Sequence, residues 1–260
     1  TSEQVTVALG GDGGDEIYGG YSHYQKILQD QAHLGWIPKH LMNLFGRVGS
    51  KLKAGTTGRN FLMSLKQGPL KTRIWGTPYF DLELRKLLFK PEILEEIGND
   101  IDAPERRSLE LYHQGIDPVD KLMRMDFKQT LPDDYLVKVD RASMANSLEV
   151  RTPFLDYRIV EHSYKSIPSR WKATLNERRR VQNIMAKKYL PKEFKLNRKQ
   201  GFSIPMDNWM RNVSLERILP NHNSSIFNTN YINDLITGQS KGKTNGARLF
   251  SLIMLNLMGS

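Results

Sequence analysis

None of the 260 residues is cysteine, which excludes disulfides, thiolate metal sites and a cysteine nucleophile within this stretch. No apolar run approaches the ~18 residues that a membrane-spanning helix requires, and no signal-like start is visible. Internal repeats and low-complexity tracts are also missing. A cytoplasmic setting without a membrane partner is therefore expected. Aromatics make up only 9% of the chain, and they are sparse where positive charge is densest. From Arg170 to Lys199 the lysines and arginines face only Glu177 and Glu193. Trp171, Tyr189 and Phe194 follow no regular spacing there, so the stacking platform of a single-strand nucleic-acid binder is absent, and most of these charges read as a solvated helix face. Nucleic acid is not the expected partner. The formal charge of +10 still favours polyanionic ligands in general, nucleotides among them.

The remaining composition, 39% hydrophobic and 25% charged, is that of an ordinary globular chain with room for one large domain or two small ones. Its most informative stretch comes first. Val5 to Leu9 is short, apolar and β-branched, and reads as a buried strand. It breaks into Gly10, Gly11, Asp12, Gly13 and Gly14 before Asp15 and Glu16 open a helical segment. Glycines let a ligand approach the backbone, and the N–H groups at a helix start favour a bound anion. Asp12, Asp15 and Glu16 would repel a naked phosphate. A bound phosphate would thus require a metal ion such as Mg²⁺, or else one carboxylate does chemistry. Acidic residues suit the first turn of any helix, so spacing alone leaves the functional and structural readings open. The loop is neither a Walker loop, which ends in Gly-Lys-Ser/Thr, nor a dinucleotide fingerprint.

Further along, Tyr21 to Leu34 reads as helix, with Tyr24, Ile27, Leu28 and Gln31 at helical spacing, and Trp36-Ile-Pro38 ends it. Residues 38–52 form a second amphipathic candidate, and nothing between Gly35 and Ala103 carries recognisable chemistry. Asp117-Pro118 is a helix start, with Leu122 and Met125 turned inward, and Leu131-Pro132 is expected to break that helix and restart it. The restarted helix is apolar with embedded Lys138, Asp140 and Arg141, which predicts paired ions that fix packing. Glu149 and Arg151 share one side of a short extended stretch ending at Pro153. They either line a binding site or pair with the cluster at 138–141. A basic helix over 178–189 is expected to turn Val181, Ile184 and Met185 inward. Gly201 and Pro205 place Lys199 on a loop, where a lone lysine is ordinarily solvated.

Three blocks, in order, resemble the asparagine synthetase family. Leu9 to Tyr24 follows its loop pattern Ser-Gly-Asp/Glu-Gly-x-Asp-Glu-x-x-x-Gly-Tyr, DYLVKVDRASMANSLEVRTPFLD from Asp134 to Asp156 matches its most recognisable block, and Arg198-Lys-Gln-Gly-Phe-Ser-Ile-Pro205 matches its lysine loop. The resemblance implies a predominantly α body within an α/β domain of the ATP-pyrophosphatase (adenine nucleotide alpha hydrolase-like) type, here with one N-terminal strand of a parallel sheet. It also implies ATP and Mg²⁺ as cofactors. Aspartate or an aspartate-like acceptor would be activated as an acyl-adenylate and amidated by ammonia from a glutaminase domain on the same full-length chain. By position, Gly10 and Gly11 resemble ATP-contacting residues, Asp12 the acid needed for intermediate formation and amide transfer, and Asp15 a Mg²⁺ ligand. Glu149 resembles an active-site glutamate and Lys199 a charge-stabilising lysine. Gly10 stands where many members carry Ser, and Arg198 where Pro often precedes the lysine. The Ser-Gly-Gly-x-Asp-Ser pyrophosphate loop and the initial cysteine of the family are expected upstream of residue 1. Residues 1–260 would then be the C-terminal part of a synthetase domain, inactive alone and binding Mg-ATP weakly. A homodimer is compatible with this reading. A β-lactam-synthetase-like relative would carry Tyr at position 12, so Asp12 favours amide transfer; a non-catalytic helical binding module is the remaining alternative.

Overall fold

The structure, a computed structural model, describes residues 3–65, 79–194, 196, 204–213, 219 and 225–258. The expected lysine loop, Lys199 included, lies outside the described residues. In chain order the elements begin with β1 (Val7–Leu9), α1 (Gly14–Tyr18), α2 (Ser22–Leu34), α3 (Lys39–Lys51) and the helical residues 59–65, labelled α4. They continue with α5 (Leu82–Leu88), α6 (Pro91–Ile97), α7 (Ala103–Tyr112), α8 (Pro118–Met125), a π-helix over Asp126–Leu136, α9 (Val137–Met144) and β2 (Glu149–Arg151). Last come α10 (Tyr157–Ser166), α11 (Arg180–Tyr189), α12 (Met206–Arg211), α13 (Thr229–Ser240) and α14 (Gly246–Met258). The chain is mostly helical and divides into two compact units, residues 1–35 with 107–200 and residues 36–106 with 201–260.

The first unit is built around α1, α2 and α8. Asp117 caps α8 by accepting from the Val119 and Asp120 N–H groups, both at 3.0 Å, and Pro118 occupies the first helical position, where a missing N–H costs nothing. The helix then buries Val119, Leu122 and Met123 against Tyr24 and Ile27 of α2, at about 1.5–3 kcal/mol per large apolar side chain. Pro132 does not break the chain. The helix continues through it as the π-helix, whose wider turn accommodates a residue without an N–H. The restart at α9 is also more exposed than its sequence predicts. None of its residues is buried, and Lys138 lies over the Tyr135 ring at 4.7 Å instead of within an internal ion cluster.

Two strands, where the sequence predicts one, form a parallel pair in the register Val7 with Glu149, Ala8 with Val150 and Leu9 with Arg151. The expectation of a buried strand fails. Val7 is 37% and Leu9 75% exposed, because only one strand pairs with β1 among the described residues and nothing there covers the outward face. In α11, Ile184 and Met185 are likewise exposed instead of inward.

The second unit has its own core, in which Leu249, Leu252 and Ile253 of α14 meet Leu84 and Leu88 of α5, Met210 of α12, Leu235 of α13 and Phe227, two residues ahead of α13. Spacings of three and four put the α14 residues on one stripe. Beside this core, Arg59 donates to Asp81 at 2.6 Å with both side chains buried, and Arg85 pairs with Glu105.

Candidate active site

The glycine loop leaves the carboxyl end of β1, the end at which α/β sheets place their ligands. Gly10 N–H donates to the Arg151 carbonyl at 2.8 Å, which extends the pairing one residue past the strand and fastens the loop to the second sequence block. A Cβ at Gly10 would stand 2.9 Å from the Asp12 carboxylate and 3.0 Å from the Val150 side chain. Glycine at this position therefore leaves the space that the Asp12 carboxylate occupies, and the serine common in the family would crowd it. Gly11 meets nothing within 4 Å, which leaves its backbone open to a ligand.

Gly13 turns the chain with φ +85°, and a Cβ there would overlap Leu155. Phe154 packs under Gly14, and its ring meets Tyr18 edge-on at 6.1 Å. The Thr-Pro-Phe-Leu-Asp block thus serves as the floor of the loop. The short helix α1 is held from below by α10. Ser163 Oγ donates to the Ile17 carbonyl at 2.5 Å and Tyr164 Oη to the Glu16 carbonyl at 3.3 Å. A five-residue helix leaves most of its carbonyls without internal partners, and these two hydroxyls supply them.

The three carboxylates of the loop have different fates. Glu16 is buried and accepts from Tyr21 Oη at 2.6 Å; burial pushes its pKa up, so it belongs to the packing and not to a ligand surface. Asp15 is half-buried, its carboxylate filling the space that Gly20 leaves by lacking a Cβ. Asp12 is half-buried at the mouth of the loop.

Behind them, Asp126 is fully buried, and His23 Nε2 at 2.6 Å, Tyr24 Oη at 2.8 Å and Thr130 Oγ1 at 3.0 Å bond to its carboxylate. This cluster ties α2 to the π-helix.

Glu149 and Arg151 do share one side, as their spacing requires, and Arg151 Nε donates to Glu149 at 2.7 Å. The alternative pairing with residues 138–141 is not the one observed. Arg151, by hydrogen bond and charge, holds the Glu149 carboxyl below the usual carboxylate range. Strand alternation puts Glu149 on the same face as Val7 and Leu9, whereas the Asp12 carboxylate lies by Val150 on the opposite face. Gly10, Gly11 and Asp12 thus lie in the loop and Asp15 in the first turn of α1 that follows it, with Glu149 on the neighbouring strand but directed away from Asp12.

Part of the basic run, which reads mostly as a solvated helix face, packs against the end of α1. Arg178 Nη1 donates to the Gly20 carbonyl at 3.4 Å, Arg179 N–H donates to the Gly19 carbonyl at 3.4 Å, and Gln182 lies against Gly14. Arg179 adopts a left-handed φ of 55°, uncommon for a residue with a side chain, and its Nε is buried without a hydrogen-bond partner among the described residues. The triplet Arg178-Arg179-Arg180 was the available signal; the contact it makes, some 160 residues away in sequence, was not. Lys172 is buried against Gly19, its ammonium 4.7 Å from the Tyr164 ring, and desolvation lowers its pKa to about 8.

No group of three or more His, Asp or Glu suited to a metal occurs among the described residues. Magnesium commonly takes only one or two carboxylates beside phosphate oxygens and water, so a single carboxylate such as that of Asp12 or Asp15 suits it by chemistry, the first lying against Gly10 and the second against Gly20.

Comparison with known proteins gives the following. The Asparagine synthase family model matches residues 1–259. A putative glutamine-hydrolysing asparagine synthetase of Mycobacterium tuberculosis strain H37Rv is 30% identical over 215 residues, which are 80% of this chain and 31% of that protein. Asparagine synthetase [glutamine-hydrolyzing] 1 of Bacillus subtilis is 30% identical over 214 residues, 81% of this chain and 32% of its own length. The chain thus spans about a third of the length of the curated relatives it matches. No solved structure matches it significantly.

Proposed function

The chain belongs to the asparagine synthase family, and from that premise we propose that the full-length protein converts aspartate to asparagine at the expense of ATP. Residues 1–260 supply the C-terminal part of its ATP-pyrophosphatase-type synthetase domain. The observation that carries this reading is the Gly10–Gly14 loop at the carboxyl end of β1, with the Asp12 carboxylate in the space left by Gly10 and the loop fastened to Arg151.

In the first step the β-carboxylate of aspartate attacks the α-phosphorus of ATP and pyrophosphate leaves. Open backbone at Gly11 accommodates the nucleotide, with Gly10 beside it. Mg²⁺ held at Asp15 would neutralise phosphate charge, and Lys199, by its resemblance to the family's charge-stabilising lysine, would supply a further cation. In the second step ammonia attacks the acyl carbon, Asp12 takes a proton from the incoming nitrogen, and AMP departs with the oxygen it gained from aspartate. Glu149 is a weaker proton acceptor while Arg151 donates to it, because that arginine stabilises its ionised form. The relatives are named glutamine-hydrolysing; a glutaminase domain on the same full-length chain would supply the ammonia.

The test uses full-length protein with ATP, Mg²⁺, ammonia and aspartate labelled with ¹⁸O in its β-carboxylate. One labelled oxygen should appear in AMP for each asparagine formed. Asparagine appearing with unlabelled AMP, or with ADP, would refute the acyl-adenylate. Turnover of a β-amino acid to a ring without added ammonia would point instead to the lactam-forming chemistry.

A further inference from the structure

Helix α3 in the second unit is packed the wrong way round for an amphipathic helix in a protein core. Its buried residues are Gly46 and Gly49, and Gly49 lies so close to α4 that a Cβ would stand 2.7 Å from Met63 N and 2.8 Å from Leu62 Cβ. Close approach through glycine consumes the small face. Its apolar stripe, Leu41, Leu44, Phe45 and Val48, recurs at spacings of three, four and seven, and every member is 39–55% exposed. Trp36, just ahead of the helix, is 78% exposed.

The charge around this stripe has one sign. Between Asp30 and Asp81 the sequence contains no acidic residue. His40, Arg47 and Lys51, spaced by seven and four, form a basic margin beside Leu44, with Lys39 at the helix start. Lys53, two residues beyond, reaches Asp234 at 3.6 Å and is counted out of the margin. An apolar stripe bordered by lysine and arginine, with Trp, Phe and Leu on the apolar side, matches a helix that lies in the plane of an anionic membrane surface, its stripe among the acyl chains and its cations at the headgroups. We infer that α3 docks the full-length protein on an anionic lipid surface through Leu41, Leu44, Phe45 and Val48, with Arg47 and Lys51 at the headgroups. The sequence argument against a membrane partner addressed only spanning segments. It has no bearing on a helix lying on the surface, and none of the described helices is long and apolar enough to cross a bilayer.

The probe is co-sedimentation of full-length protein with vesicles of phosphatidylcholine containing phosphatidylglycerol, against phosphatidylcholine alone. Binding to the anionic vesicles is expected at least tenfold stronger than to neutral ones, and tenfold or more weaker for Phe45→Glu and for the pair Arg47→Glu, Lys51→Glu. Because all three side chains are exposed, these variants should keep the wild-type circular dichroism and unfolding midpoint. Lys187→Glu with Lys188→Glu on α11 removes the same charge elsewhere and should leave binding within about twofold. No binding of the wild type, as would occur if another protein surface covers the stripe, overturns the inference. Equal loss in the α11 pair, or no loss with Phe45→Glu, overturns it as well.

Discussion

Gly13→Ala tests whether the Thr-Pro-Phe-Leu-Asp block is the floor on which the loop is moulded. Two independent costs are written into that position. Gly13 sits at φ +85°, where an L side chain costs about 1–2 kcal/mol. Its Cβ would also stand 2.9 Å from Leu155 Cγ and overlap a terminal methyl, an overpacking worth about 1–3 kcal/mol. Together the single substitution should destabilise by about 2–5 kcal/mol. Leu155→Ala alone removes a half-buried side chain and should cost about 1–2 kcal/mol, less than the ~2–5 kcal/mol of a fully buried leucine. In that background the methyl group introduced by Gly13→Ala no longer meets the leucine, and only the backbone cost of about 1–2 kcal/mol remains. The double-mutant cycle should therefore show a favourable coupling of about 1–3 kcal/mol, read from unfolding midpoints in urea of the four full-length proteins. Additivity within about 0.5 kcal/mol would show that the two residues do not meet and that the loop rests on something else.

Replacing Asp126 with Ala should destabilise by about 3–5 kcal/mol, since it strands the buried Tyr24 hydroxyl and removes two further polar partners, whereas Tyr24→Phe should cost about 1.5–3; equal losses in urea melts would contradict the shared-acceptor arrangement. For Lys172 the folded pKa of about 8 lies below the value near 10.4 of an unfolded lysine. Between these pH values the unfolded chain holds the extra proton, so stability rises with pH, by at most about 1.4 kcal/mol per unit. Lys172→Met should flatten that rise in thermal melts from pH 8 to pH 10; an unchanged slope would refute the buried ammonium.

What the sequence carried well was local. The Asp117-Pro118 cap, the inward Leu122 and Met125, and the switch from strand to helix across Gly10–Gly14 each depend on neighbours within a turn or two. What it carried poorly depends on distant partners. Leu9 reads as buried because β-branched apolar runs usually are, yet burial needs a covering layer that no local pattern encodes. Ile184 and Met185 fail for the same reason. Pro132 reads as a helix breaker, but a π-turn removes the conflict without a break. In the site, the grouping of Gly10, Gly11, Asp12 and Asp15 follows from contiguity. Resemblance places Glu149 beside them, and the β1–β2 register adds the direction, which points it away from Asp12. Ser163, Tyr164 and Arg178 were invisible, because each reaches α1 or its C-terminal glycines across more than 140 residues of chain.

The role of Asp12 is tested most directly by ammonia-dependent asparagine formation in full-length wild type and Asp12→Asn. The substitution preserves shape and removes the charge that receives a proton, so turnover should fall by ~10²–10⁴ with an unchanged unfolding midpoint. An Asp12→Asn protein that folds equally well and retains near-normal turnover would contradict the role given to this carboxylate.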